Sequence, residues 1–266
     1  MSVAVILGSA FDPRAVPVDE LLPVELSTNF GSATLHRWPG VREDEAWVAF
    51  RHGLPHRLLP HQVDYRAQAA ALAAVGCEAL LVTSSVGVLD AALPLDAPLL
   101  VSDLLMLDNR LPDGSPCTIF TEPRPGQGHL VIEEGLCSSA LCEQVERLAE
   151  QRGWPRLERV LFGFAMGPRT KTAAENALLA RLGAQVNSMT LAPEVVLANE
   201  LEIPVAALVV GHKYSIPGHA GRLDDQGTRR SLEKSADVLG PLVRDFLAGA
   251  EPVPFANRLH RFDRRA

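Results

Sequence analysis

Short apolar runs that end abruptly in small or charged residues alternate along the chain with stretches of helical periodicity. Val3 to Leu7 is a β-branched run breaking at Gly8-Ser9, Ala46 to Phe50 leads straight into Arg51-His52, and Glu78 to Thr83 breaks at Ser84-Ser85-Val86-Gly87. Pro98 to Asp103, Arg159 to Phe164, Gln185 to Met189 and Val205 to Val210 have the same form. Runs this short, bounded by turn residues, predict buried strands. Helices are predicted over Ala67 to Val75, with Gly76 as its stop, and over Ser138 to Gly153, where Leu141, Val145 and Leu148 fall on one face behind a Ser138 cap. Thr172 to Leu182 (closed by Gly183), Ala192 to Leu201 and Ser231 to Ala248 complete the set. The alternation predicts one α/β domain over residues 1–266, a central mixed β-sheet flanked by helices, with 250–266 as a C-terminal tail. Residues 108–128, rich in Pro, Gly and Asp, are expected to form a long loop, functional or mobile.

Composition narrows the class. With 266 residues, 47% apolar and 21% charged, the chain reads as a soluble globular protein with a sizeable core. A net charge of −7 argues against nucleic-acid binding. No run reaches the about 18 apolar residues of a membrane span, and the N-terminus lacks the charged region of a signal peptide. Cys77, Cys117, Cys137 and Cys142 show neither CxxC spacing nor a paired His cluster, so free thiols in a reducing cytoplasm and no metal are expected.

Against this acidic background, residues 51–67 hold three Arg, three His, Tyr65 and two Pro. Such a basic knot after a strand suggests an anion site. Other strand ends carry Gly8-Ser9, Thr83-Ser84-Ser85, Gly167-Pro168-Arg169-Thr170-Lys171-Thr172, Ser188-Met189-Thr190 and His212-Lys213. Ligands of α/β folds collect at strand carboxyl ends, and this inventory suits a phosphate, alone or beside a sugar. Neither GxGxxG nor GxxxxGK[ST] is present.

Taken in order, Gly8-Ser9, Arg51-His52-Gly53 through Tyr65-Arg66-Ala67, Ser84 to Gly87, Gly167-Pro168-Arg169 and Met189 to Ala198 resemble the methylthioadenosine phosphorylase branch of the trimeric purine nucleoside phosphorylases, collinearly from residue 3 to about 215. The resemblance implies phosphorolysis: phosphate attacks the anomeric carbon of a nucleoside, giving free base and sugar 1-phosphate. It implies Ser9, Arg51, His52, Ser84, Ser85 and Thr190 around phosphate, and Met189, His56 and Tyr65 near the sugar. Thr170, Lys171, Lys213 and Ser215 would face the base, with Lys213, His212 and His52 as the catalytic candidates. It further implies a homotrimer, inorganic phosphate as co-substrate and no cofactor. Glu194 reads instead as a structural residue in the first turn of a helix opened by Pro193.

The base side departs from the family. Its members usually read Glu-Gly-Pro-Arg-Phe-Ser-Ser/Thr where this chain has Met166-Gly167-Pro168-Arg169-Thr170-Lys171-Thr172. Counting from Pro193-Glu194 puts Lys213 where adenine-specific members carry an Asp; a one-residue shift puts His212 there. Either way the acidic group is gone, which disfavours adenine and favours a base that leaves as an anion or bears oxo or carboxylate groups. Two alternatives stay open: a nucleosidase using water, and a non-catalytic nucleoside- or phosphate-binding homologue.

Overall fold

The computed structural model describes residues 2–9, 16–43, 45–216, 219 and 225–261. Its strands are β1 (Ser2–Leu7), β2 (Leu22–Thr28), β3 (Gly31–Arg37), β4 (Glu45–Phe50), β5 (Cys77–Val88), β6 (Pro98–Leu105), β7 (Gly128–Val131), β8 (Glu158–Phe164), β9 (Val186–Ser188), β10 (Val205–Tyr214) and β11 (Arg258–Arg261). The α-helices are α1 (Tyr65–Ala74), α2 (Ser139–Gln151), α3 (Ala173–Arg181), α4 (Ala192–Glu200) and α5 (Asp225–Gly249). Nine strands form one mixed sheet in the order β10-β6-β8-β9-β5-β1-β4-β3-β2, and β10 also pairs with β5. That extra pairing closes β5, β10, β6, β8 and β9 into a ring, from which β1, β4, β3 and β2 run on as an open wing.

β1 is buried along its whole length, as a parallel strand covered on both faces must be. Its parallel neighbours are β4 and β5. The helices start where the sequence supplies caps. Ser138 Oγ accepts from Leu141 N at 3.4 Å, and Asp64 Oδ1 accepts from Ala67 N at 2.9 Å. Thr172 and Glu175 form a reciprocal capping box on α3. α1, α4 and α5 pack on the sheet, and their apolar faces join its side chains in one continuous core.

Several stretches differ from the sequence reading. The β2–β3 hairpin was not expected, because β2 is largely solvent-facing and carries Pro23. β5 runs five residues past its expected end at Thr83 and β10 four past Val210, through stretches that include polar residues and look like loop. Residues 108–128 are packed rather than free: Arg66 Nε donates to the Thr118 carbonyl at 2.8 Å, its Nη2 donates to the Pro116 carbonyl at 2.7 Å, and Leu111, Cys117 and Ile119 are buried against α1 and α4. Within the expected tail, β11 pairs antiparallel with β7, while 262–266 lie outside the described residues. Asn257 secures that pairing by accepting from Glu133 N at 2.9 Å and donating to Asn199 Oδ1 at 2.9 Å.

Candidate active site

β5 changes neighbours halfway along. Up to Val82 it pairs with β1, whereas Gly87 and Val88 pair with β9. Between these points Thr83, Ser84, Ser85 and Val86 sit at the mouth of the closed ring, where strand ends diverge and leave a crevice. A cavity of about 640 Å³ opens there. Ser9 from the end of β1, His52 and His56 after β4, Ser84 and Ser85 in β5, and Met189 and Thr190 after β9 all line it. So do Thr170 and Lys171 ahead of α3, and His212, Lys213 and Ser215 at the end of β10. Of the residues singled out from sequence, only Arg51 and Tyr65 are missing from its surface.

Arg51 was expected at the centre of a phosphate shell, yet it is 0% exposed. Its Nε is ion-paired with Glu194, itself 2% exposed, and its Nη1 donates to the Thr83 carbonyl at 2.9 Å. A Cβ on Gly8 would stand 2.7 Å from that Nη1 and 3.0 Å from the Thr83 carbonyl oxygen, so only glycine lets the β1 turn close over the guanidinium. Arg51 is therefore part of the wall. It holds together the two backbone segments that present Ser9 and Ser84. Glu194 is more than a helix-dipole residue, since without it the wall would carry a buried charge with no counter-ion. The clue in the sequence was a carboxylate inside an otherwise apolar helix, Ala192 to Ala198, every residue of which is buried. Tyr65 is likewise structural: its hydroxyl donates to the Pro60 carbonyl at 3.0 Å, and burial pushes its pKa up.

His52 lies on the cavity with Nδ1 2.8 Å from the Leu58 carbonyl. A carbonyl can only accept, so Nδ1 carries the proton and the neutral ring offers a bare Nε2. Burial, then the charges of Arg51 and His56, bring its pKa down to about 4, leaving it neutral at pH 7. His56 stacks on it, ring centroids 4.5 Å apart and planes within 5°.

Backbone geometry brings both His212 and Lys213 to the cavity. Gly211 pairs with Val86 and Lys213 with Gly87, so His212 is an extra residue in a β-bulge. A bulge breaks the two-residue alternation of a strand, and both side chains reach the cavity. Burial, then Lys213, brings His212 down to about 4; burial, then Lys213, brings Lys171 down to about 8. Lys213 lies opposite Gly87, three residues beyond Ser84 on β5, which is roughly 10 Å at the rise of a strand. Ser84, Ser85 and Lys213 therefore reach the cavity from neighbouring positions of two paired strands.

Further lining residues include Asn187 and Asn176, which had no signal in the sequence, and Ser188 and Gly87, which stood at strand ends without an assigned role. Asn187, buried at the end of the ring, donates through Nδ2 to Asn176 Oδ1 at 3.1 Å. Ser188 Oγ accepts from Ser84 Oγ at 3.3 Å. Gly87 is obligatory, because a Cβ there would collide with Ser215 Oγ and stand 3.3 Å from Asn187 Oδ1. A second cavity of about 630 Å³ lies between β7 and α4. Its carboxylate, Glu200, already accepts from Thr118 Oγ1 at 2.8 Å and from Ile119 N at 2.6 Å, and no lysine or arginine lines it.

Fold and cavity together describe an α/β domain whose strand-end cavity is lined by hydroxyl, amide, imidazole and lysine side chains. The chain belongs to the phosphorylase superfamily, whose family model matches residues 3–248. It is 32% identical over 244 residues to the probable S-methyl-5'-thioinosine phosphorylase of Methanopyrus kandleri, covering 90% of this chain and 86% of that protein. It is 29% identical to the 6-oxopurine nucleoside phosphorylase of Pyrococcus furiosus, covering 77% of each. Among solved structures, the methylthioadenosine phosphorylase from Schistosoma mansoni in complex with adenine superposes with a TM-score of 0.81 over 93% of this chain and 90% of that one; at 22% identity the likeness concerns the fold. No helix among the described residues is long and apolar enough to cross a membrane.

Proposed function

We propose that the protein is a nucleoside phosphorylase: it cleaves the N-glycosidic bond of a purine or purine-like nucleoside with inorganic phosphate, yielding free base and sugar 1-phosphate, and it is not adenine-specific. The observation that carries this reading is one strand-end cavity lined at once by the hydroxyls of Ser9, Ser84, Ser85 and Thr190, by His52 and by Lys171 and Lys213. A phosphate oxygen attacks the anomeric carbon, and the C–N bond breaks with its electron pair passing to the base. Catalysis needs the phosphate fixed, the sugar held at the correct face and charge relieved on the base. The hydroxyls donate to phosphate, and bare Nε2 of neutral His52 accepts from a phosphate hydroxyl. Arg51 acts as a positioning residue from behind the wall. Met189 lies under the sugar and His56 near its 5' side. Thr170, Lys171, Lys213 and Ser215 form the base subsite, with His212 beside them.

The same reading makes the enzyme a cofactor-free homotrimer of the reducing cytoplasm, on the family resemblance and four buried free thiols. Neither nucleic acid nor membrane is a partner. The test is release of base from a panel of purine nucleosides with and without phosphate. Release should require phosphate; equal release without it would make the protein a nucleosidase.

A further inference from the structure

We propose that the base taken by this cavity is one with an ionised, oxygen-rich edge, of the 2,6-dioxopurine class, and that Lys171 and Lys213 together determine this specificity; the inference rests on the nucleoside reading above. Both lysines line the cavity, and among the described residues no carboxylate lines it. The acids whose charge reaches this corner are committed elsewhere. Glu175 pairs with Arg169 at 2.7 Å and accepts from Thr172 N at 2.7 Å, and Asp96 pairs with Lys234 at 3.2 Å. Two half-buried lysines therefore line the same cavity, close enough for Lys213 to disfavour charge on Lys171, without a carboxylate among the described lining residues, an arrangement that a bound anion offsets.

Hydrogen-bond chemistry narrows the anion. An ammonium has donors and no acceptor. A 6-aminopurine would bring amino hydrogens against donors. A neutral 6-oxopurine sets a ring N–H beside its oxygen, so one lysine would meet a hydrogen. A dioxopurine that has lost one ring proton carries a net negative charge and two exocyclic oxygens that only accept, so each lysine can meet an acceptor. The two cations also stabilise the charge the base gains as the C–N bond breaks. The phosphate is held by the hydroxyls and His52 in this scheme, so the two lysines belong to the other partner in the reaction.

The test measures equilibrium binding of xanthine and of adenine to the intact protein in the presence of phosphate, by calorimetry, for the wild type, Lys171→Met and Lys213→Met. Phosphate-dependent cleavage of xanthosine and of 7-methylguanosine by the wild type is followed in parallel; the first carries the proposed base, and the second has a base that leaves neutral without help from the lysines. Xanthine is expected to bind at least about tenfold tighter than adenine, and each substitution to reduce xanthine affinity by about tenfold to a hundredfold, collapsing that preference. Where a methionine variant fails to fold, as judged by its thermal transition, the glutamine variant replaces it. Cleavage of 7-methylguanosine with xanthine bound no tighter than adenine overturns the inference and leaves phosphorolysis standing. Lysine-dependent xanthine binding without phosphate-dependent cleavage of either xanthosine or 7-methylguanosine sustains the inference and rejects the reaction. Equal loss of both bases on substitution would give the lysines a merely structural role and overturn it too.

Discussion

Replacing Glu194 by glutamine removes one charge of a pair whose other member has no water to turn to. Arg51 is 0% exposed and Glu194 2% exposed, and the remaining bonded contact of the guanidinium is Nη1 to the Thr83 carbonyl at 2.9 Å. Glutamine keeps the shape and leaves the cation buried with neutral partners. Breaking a buried pair in this way costs about 3–5 kcal/mol, against about 0–1 kcal/mol for an exposed one. For a chain of this size each kcal/mol lowers Tm by roughly 2–4 °C, so a drop of roughly 6–20 °C is expected. Urea unfolding followed by circular dichroism gives the free energy directly, provided the slope matches wild type. The double variant Arg51→Met with Glu194→Leu removes both charges and should recover most of the loss, since an apolar pair of similar volume is commonly neutral or better. Because Arg51 also joins the segments carrying Ser9 and Ser84, the double variant should fold yet bind phosphate more weakly. A cost for Glu194→Gln below about 1 kcal/mol, the range of a solvated pair, would refute the burial argument.

Other consequences follow from the same geometry. Ser84→Ala should raise KM for phosphate by about tenfold or more, the loss of a hydrogen bond to a charged group, with little change in Tm; an unchanged KM would remove Ser84 from the phosphate side. Gly87→Ala should cost about 1–3 kcal/mol through collision with Ser215 Oγ, and Ser215→Gly in the same chain should restore it; a fully stable single variant would contradict the close approach. His52 and His212 have folded pKa values pulled from 6.5 to about 4, so the folded state binds fewer protons than the unfolded one. Their contribution is complete above pH 6.5 and lost as pH falls toward about 4, by roughly 3 kcal/mol for buried His52 and less for the more solvated His212. The urea midpoint should fall across that window and His52→Gln should flatten it; a midpoint that rises on acidification would reverse the sign.

What could be read from the sequence follows burial. β1, β4 and β8 are short apolar runs because they are covered by neighbours and helices, and their ends marked the cavity. The hairpin of β2 and β3 escaped because one face meets solvent and Pro23 interrupts the pattern. β5 and β10 were cut short for a different reason: where they line the cavity their side chains are chosen for a ligand, and Ser84-Ser85 and His212-Lys213 look like loop. The bulge at His212 has no signature in one sequence, so that both His212 and Lys213 reach the cavity could not be read before the register with Gly87 was known. Arg51 was recognised as important but given the wrong surroundings. Its counter-ion lies 143 residues away, a distance that local pattern cannot bridge.

The central claim is that phosphate, and no other nucleophile, cleaves the glycosidic bond in this cavity. Following a purine nucleoside reaction by phosphorus magnetic resonance together with base absorbance tests it directly. Inorganic phosphate should disappear and sugar 1-phosphate appear one for one with the base released. Base release while the phosphate signal stays constant would contradict the account.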